Sequence, residues 1–179
     1  MQQLLWHSLD VWLSQYFPDV EPITVPVLHQ WLAQAPDRDQ ALPLLLDART
    51  PAEYHISHLP AAQLLPPAWD HPDRNHPDGN HPDGNHPAAS PFPKGNDRDR
   101  PVVVYCSIGY RSAIAAQKLK SAGFSQVFNL SGSLFSWAAQ GYPLYRGTQP
   151  VLDLHPYHWT WAMLLGSIVP QVQLRYTLE

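Results

Sequence analysis

The chain has 179 residues, 44% of them apolar and 15% charged, with a formal net charge of −4. This suffices for one domain with appendages, and no basic excess suggests a nucleic-acid partner. A single cysteine excludes an intrachain disulfide framework and any cysteine-rich zinc site.

Met1 to His7 lacks a basic stretch and a small-residue cleavage pattern, so no signal peptide is expected. Leu5, Leu9, Trp12 and Tyr16 recur at helical spacing, which predicts an amphipathic helix over 3–16 with those residues on its buried stripe. Ile23 to Val25 reads as a short strand, and Val27 to Ala35 as a helix with Pro26 at its first turn. Leu44-Leu45-Leu46 is a buried strand ending at Asp47, and Gln63-Leu64-Leu65 a further short strand.

Proline use then shifts, with nine of the 20 prolines between Pro66 and Pro101. A pentapeptide repeats there, from His71-Pro72-Asp73-Arg74-Asn75 through His76-Pro77-Asp78-Gly79-Asn80 and His81-Pro82-Asp83-Gly84-Asn85 to His86-Pro87. Such a segment has little to bury and breaks both helix and strand. It reads as a low-complexity insertion over about 67–100. Its histidines show no closed ligand set, so no metal site is assigned.

Val102 to Tyr105 is the central strand, and it leads into Cys106-Ser107-Ile108-Gly109-Tyr110-Arg111. A helix over Ser112 to Ala122, closed by Gly123, follows. Strand, loop and helix in this order aim backbone N–H groups and a helix N-terminus at the sulfur, which favours the nucleophilic thiolate. Val127 to Leu130 is another strand, and Leu134 to Ala139 a short helix stopped by Gly141 and Pro143. Trp159 to Val169 is apolar but too short to span a bilayer. Apolar strands alternating with helices predict an α/β fold, a parallel central sheet with helices on both faces. Ligands in such folds bind beyond the carboxyl ends of the strands, where Cys106 and Asp47 both fall.

At this point three blocks resemble the single-domain rhodanese-like sulfurtransferases. Leu46-Asp47-Ala48-Arg49-Thr50-Pro51-Ala52-Glu53-Tyr54 is similar to the family's D-x-R…E-[FY], continuing through His55-Ile56-Ser57-His58-Leu59-Pro60-Ala61-Ala62. The Cys106-to-Arg111 loop has the family's six-residue length, and Asn129-Leu130-Ser131-Gly132-Ser133-Leu134-Phe135-Ser136-Trp137 is similar to L-x-G-G-[IL]-x-x-W. Ser57, Ala61 and Ser133 stand at three family glycines, sites expected to lie away from the nucleophile. The resemblance implies a helical extension over 1–19, a rhodanese-like domain over 20–146 interrupted by the insertion, and a C-terminal extension over 147–179. In that extension His155, Pro156, Tyr157, Trp159 and Trp161 are expected to pack on the domain without chemistry of their own.

The resemblance implies a sulfurtransferase without cofactor or metal, and the lone cysteine with no expected signal peptide or span makes a reduced cytoplasmic setting the expectation. Cys106 would take a sulfane sulfur from a small anionic donor, thiosulfate or a persulfide, and pass it on as a persulfide. Ser107, Ile108, Gly109, Tyr110, Arg111 and Ser112 would bind the donor, with Ser112 chiefly capping the helix and Arg111 supplying positive charge. Asp47 and Arg49 would support the site, and Arg49 and Glu53, four apart, would pair. His55 and His58 are expected as turn and packing residues. With no second cysteine, the acceptor must be external: a thiol, cyanide or a protein; neither nucleic acid nor membrane is expected. The alternatives are a sulfur-carrier or adaptor module with little turnover, and a cysteine phosphatase or arsenate reductase. Those last enzymes need C-x5-R, and this loop is C-x4-R.

Overall fold

The structure, a computed structural model, describes residues 2–34, 42–66, 97–158, 160–161, 169 and 171–176. Helix α1 (Gln2–Tyr16) precedes β1 (Glu21–Ile23), α2 (Val25–Gln34), β2 (Leu44–Asp47), α3 (Pro51–Ile56) and β3 (Gln63–Leu64). Then come β4 (Val102–Tyr105), α4 (Tyr110–Ser121), β5 (Val127–Leu130) and α5 (Ser133–Ala139). The chain continues through β6 (Leu144–Arg146), β7 (Gln149–Val151), β8 (Asp153–Leu154) and β9 (Gln173–Leu174).

The first five strands form one sheet in the order β1-β5-β4-β2-β3, every pair parallel. Successive side chains of a strand point to opposite faces. Leu45, Val103 and Tyr105 therefore join one core with Leu28, Leu130, Phe135 and Trp137. Leu44, Leu46, Val102 and Val104 join a second core with Ala115, Ala116 and Leu119 of α4. All four residues of β4 are buried. An all-apolar central strand covered on both faces is what a doubly covered parallel sheet requires. The expected fold class is thus observed, and Cys106 follows the carboxyl end of the central strand.

Several expectations are corrected. Trp12 and Tyr16 are 42% and 61% exposed, whereas Trp6 and Leu13 are buried and Leu9 packs against the core. Residues 6, 9 and 13 also recur at helical spacing, and packing on the domain selects that face. Strand β1 sits two residues earlier than expected because Val25 already opens α2 and is buried. The capped helix α3 and the hairpin β6–β7 have no counterpart in the sequence reading.

The four repeat histidines lie outside the described residues. Residues 97–100, read as the end of the insertion, belong to the domain. Asp97–Asp99 form a 3-10 turn, with Ser125 N donating to Arg98 O at 3.1 Å and Ser125 Oγ to Asp99 Oδ1 at 2.8 Å. Among the described residues no helix is long and apolar enough to cross a membrane.

Candidate active site

Cys106 is 1% exposed. Its sulfur receives the Gly109 N–H at 3.2 Å and the Ser112 hydroxyl at 3.5 Å. Gly109 caps the N-terminus of α4 at φ 114°, a left-handed conformation that turns its N–H back onto the sulfur. A Cβ there would lie 3.2 Å from Leu13 Cδ1, so α1 presses directly on the loop. Burial pushes the Cys106 thiol up, but the Ser112 hydroxyl, the Arg111 charge and the Ser112 and Gly109 amides outweigh it and hold the thiol below its ordinary value.

Ser112 differs from its expected role. Helix α4 begins at Tyr110, two residues earlier than expected, with Gly109 as its cap. Ser112 therefore lies inside the first turn, where its hydroxyl reaches Gly109 O at 3.1 Å and the sulfur. The left-handed glycine replaces a side-chain cap and frees the serine to face the Cys106 sulfur.

Arg49 and Glu53 do not pair. Asp47, at the end of β2, accepts from Arg49 N, Nε and Nη2, the last at 2.7 Å, with both side chains buried. Arg49 Nη2 also donates to Ser57 O at 2.5 Å. This pair braces the β2–α3 loop, and neither residue hydrogen-bonds the sulfur.

Glu53 turns instead to Arg111. Its Oε2 and Oε1 accept from Arg111 Nη1 and Nη2, each at 2.8 Å. The geometry arises locally from a capping box, in which Thr50 N donates to Glu53 Oε2 at 3.0 Å and Thr50 Oγ1 accepts from Glu53 N at 3.3 Å. Burial pushes the Glu53 carboxyl up, yet Arg111 and Thr50 draw it down to about 2. The bidentate demand of a guanidinium for a carboxylate therefore wins over helical spacing. Ser107 Oγ joins the network, donating to Glu53 Oε1 at 3.3 Å and accepting from Arg111 Nη2 at 3.0 Å.

Of the remaining loop residues, Ile108 packs against the core. Tyr110 is 45% exposed, its ring 5.8 Å from Trp12 and 6.1 Å from Phe17. Arg111 also borders a pocket of about 390 Å³ with Arg49, Thr50, Leu65, Pro66 and Lys118. His58 is a packing residue, as expected: Nε2 accepts from Gly147 N at 3.1 Å and the ring stacks on Tyr54. Among the described residues no group of three or more His, Cys, Asp or Glu could hold a metal ion.

The C-terminal extension packs on the domain, where Trp161 lies against the core and His155 is buried, and it also reaches the site; Trp159 lies outside the described residues. The Tyr157 ring lies over Arg111, 4.8 Å from the guanidinium carbon, with the backbone at φ 66°. Tyr157 N donates to His155 Nδ1 at 3.0 Å. Burial pushes the His155 pKa down, with Glu53, Arg49 and Arg111 within electrostatic reach. Asp153 anchors the segment through Arg146 at 2.7 Å and through Arg175.

Two of the three serine or alanine sites matching family glycines do adopt positive φ, Ala61 at 54° and Ser133 at 50°, whereas Ser57 is extended at −166°. Ser133 is not remote from Cys106, because its hydroxyl accepts from Cys106 N at 3.0 Å. Glu53, Ser133 and Tyr157 are site residues that the sequence did not single out as such. Only Glu53 carried a local signal, the Thr50-x-x-Glu53 spacing of a capping box.

A parallel α/β domain with a cysteine seated among converging donors, past the carboxyl end of its central strand, is the class of protein that fold and site define. The chain belongs to the rhodanese-like domain family, whose model matches residues 28–140. It is 35% identical over 121 residues to a probable adenylyltransferase/sulfurtransferase MoeZ of Mycobacterium tuberculosis, covering 68% of this chain but only 25% of that protein. It is 33% identical over 119 residues to the thiosulfate sulfurtransferase GlpE of Pseudomonas fluorescens, covering 64% of this chain and 84% of that one. A solved thiosulfate sulfurtransferase from Pseudomonas aeruginosa shares the fold with a TM-score of 0.55 at 21% identity, covering 75% of this chain and 22% of that one.

Proposed function

We propose that the protein is a sulfurtransferase moving a sulfane sulfur through a Cys106 persulfide. The observation that carries this reading is the pair of donors on the sulfur, Gly109 N at 3.2 Å and Ser112 Oγ at 3.5 Å. They stabilise negative charge on a buried thiolate, and relatives named as sulfurtransferases support the chemistry.

The Cys106 thiolate attacks the outer sulfur of thiosulfate or of a low-molecular-weight persulfide. The new Sγ–S bond forms as the donor S–S bond breaks, and sulfite or a thiolate leaves with the electron pair. An external thiolate, cyanide ion or protein thiol then attacks the outer sulfur, and Cys106 leaves as thiolate. No net oxidant and no cofactor is required. The chain has one cysteine, so no internal thiol competes for the sulfur, and a reduced cytoplasmic setting suits a free thiolate. The loop from Ser107 to Ser112 receives the anionic donor chiefly through its amides, because Arg111 Nη1 and Nη2 are held by Glu53. That same commitment, with a C-x4-R loop, argues against phosphoryl or arsenate chemistry.

Intact-protein mass spectrometry after incubation with thiosulfate tests the reading. One added sulfur on Cys106, lost on addition of cyanide or a thiol, is the expected result. No added sulfur from thiosulfate or from a persulfide would replace it with the adaptor reading.

A further inference from the structure

Ser133 opens α5 at φ 50° and is fully buried. A residue with a Cβ is strained in that conformation, and such strain persists where the surroundings over-determine it. The surroundings here are the backbone of the nucleophile. Ser133 Oγ accepts from Cys106 N at 3.0 Å and donates to Leu130 O at 3.2 Å, so the hydroxyl has one direction only. The next two residues continue the clamp: Leu134 N donates to Cys106 O at 3.2 Å and Phe135 N to Ser107 O at 3.1 Å. Three successive residues thus hold the amide and carbonyl of Cys106 and the carbonyl of Ser107.

A glycine at 133 would adopt this backbone without strain but would offer no acceptor to Cys106 N. The amide of a residue 1% exposed would then lose its partner. The neighbouring Gly132 is held to glycine by space as well as by φ 63°, since a Cβ would meet Ser136 Cβ at 2.6 Å. Strain is therefore relieved with glycine at 132 and retained with serine at 133, where the side chain has a partner.

We propose that Ser133 is a positioning residue: its hydroxyl fixes the main chain of Cys106 so that Sγ meets Gly109 N and Ser112 Oγ. The inference rests on Cys106 being the nucleophile of the sulfur-transfer reading. Among the described residues, the charged or titratable groups around the site include Arg111 from α4, Glu53 from α3 through Arg111, Arg49 paired with Asp47 after β2, His155 from the C-terminal segment, and Asp10 of α1, which accepts from Ser131. The Ser133 hydroxyl bonds Cys106 N and Leu130 O, and none of these groups.

The test compares Ser133→Gly, which removes hydroxyl and strain together, with Ser133→Ala, which removes only the hydroxyl. Thermal unfolding reads the strain, and Ser133→Gly is expected to melt above Ser133→Ala. The pH profile of Cys106 alkylation by iodoacetamide reads the sulfur and needs no sulfur donor. Both variants are expected to alkylate about three- to tenfold more slowly at pH 7, with the midpoint raised by up to about one unit. A folded Ser133→Gly with the wild-type midpoint and rate would overturn the proposal. A Ser133→Gly chain that cannot fold would also overturn it, because the role would then be global. If the alkylation shift is found but wild-type protein forms no persulfide, the positioning stands and the sulfur-transfer reading falls.

Discussion

Glu53 on α3 holds both terminal nitrogens of Arg111 on α4 at 2.8 Å, across 58 residues of chain. This one carboxylate closes the capping box of α3, neutralises the loop cation and, through Ser107, ties the loop after Cys106 to the loop after β2. Arg111 is thereby a fixed charge near the sulfur.

Glu53→Gln should destabilise the fold by about 1–3 kcal/mol, the cost of leaving charged donors short of a partner. It should also lower the midpoint of Cys106 alkylation, because the Arg111 charge would lose its counter-charge. Denaturant unfolding and alkylation against pH check the two effects. A raised midpoint would show that Arg111 leaves the loop when Glu53 is neutral.

The same carboxylate sets an acid limit. Its value is about 2 in the fold against an ordinary 4.5, so the folded state binds this proton less readily than the unfolded chain. The stabilisation is fully present above about 4.5 and is lost as pH falls toward about 2. The difference in melting temperature between wild type and Glu53→Gln should therefore shrink across that window. A constant difference would assign the acid sensitivity elsewhere.

Cys106 should alkylate with a midpoint below the ordinary thiol range. Ser112→Ala and Arg111→Gln should each move it upward by removing a hydrogen bond to, or a charge near, the thiolate. Burial alone would act in the other direction, so an elevated wild-type midpoint would show that desolvation prevails.

Gly109→Ala should cost about 1–2 kcal/mol from the left-handed backbone at φ 114°. The new methyl must also displace Leu13 Cδ1, 3.2 Å from where it would stand. Thermal unfolding and sulfur loading should fall together, and unchanged loading would show that the loop tolerates the side chain.

Tyr157→Gly removes a 51% exposed ring and relieves a backbone at φ 66°. Stability should change by less than about 1 kcal/mol, because an exposed cation–π contact contributes little. Removing the ring widens access to the loop amides beside Arg111, so KM for thiosulfate should fall while kcat holds. An unchanged KM would leave Tyr157 as a surface contact only.

The sheet and the position of Cys106 at a strand end were legible in the sequence because both are written locally. Val102 to Tyr105 is a short, β-branched apolar run after Pro101, which favours a strand buried on both faces, and the loop and helix after it place Cys106 at a strand end without knowledge of any neighbour. The α1 stripe was ambiguous for a local reason too, since Trp6, Leu9 and Leu13 share helical spacing with a second apolar set. The partners of the charges were not legible. Arg49 prefers Asp47, two residues away, only because the loop after β2 turns back, and Glu53 is left to find Arg111.

The sequence by itself determined most strands and helices of the central sheet, that the sheet is parallel, and that one cysteine follows its central strand. Those properties depend on periodicity and burial, which side-chain order specifies. Tertiary structure alone decided that Ser133 braces Cys106, that Leu13 presses on Gly109 and that Tyr157 covers Arg111. Contacts between residues dozens of positions apart are set by how packed layers bring strand ends together, and single-chain periodicity carries no record of that distance.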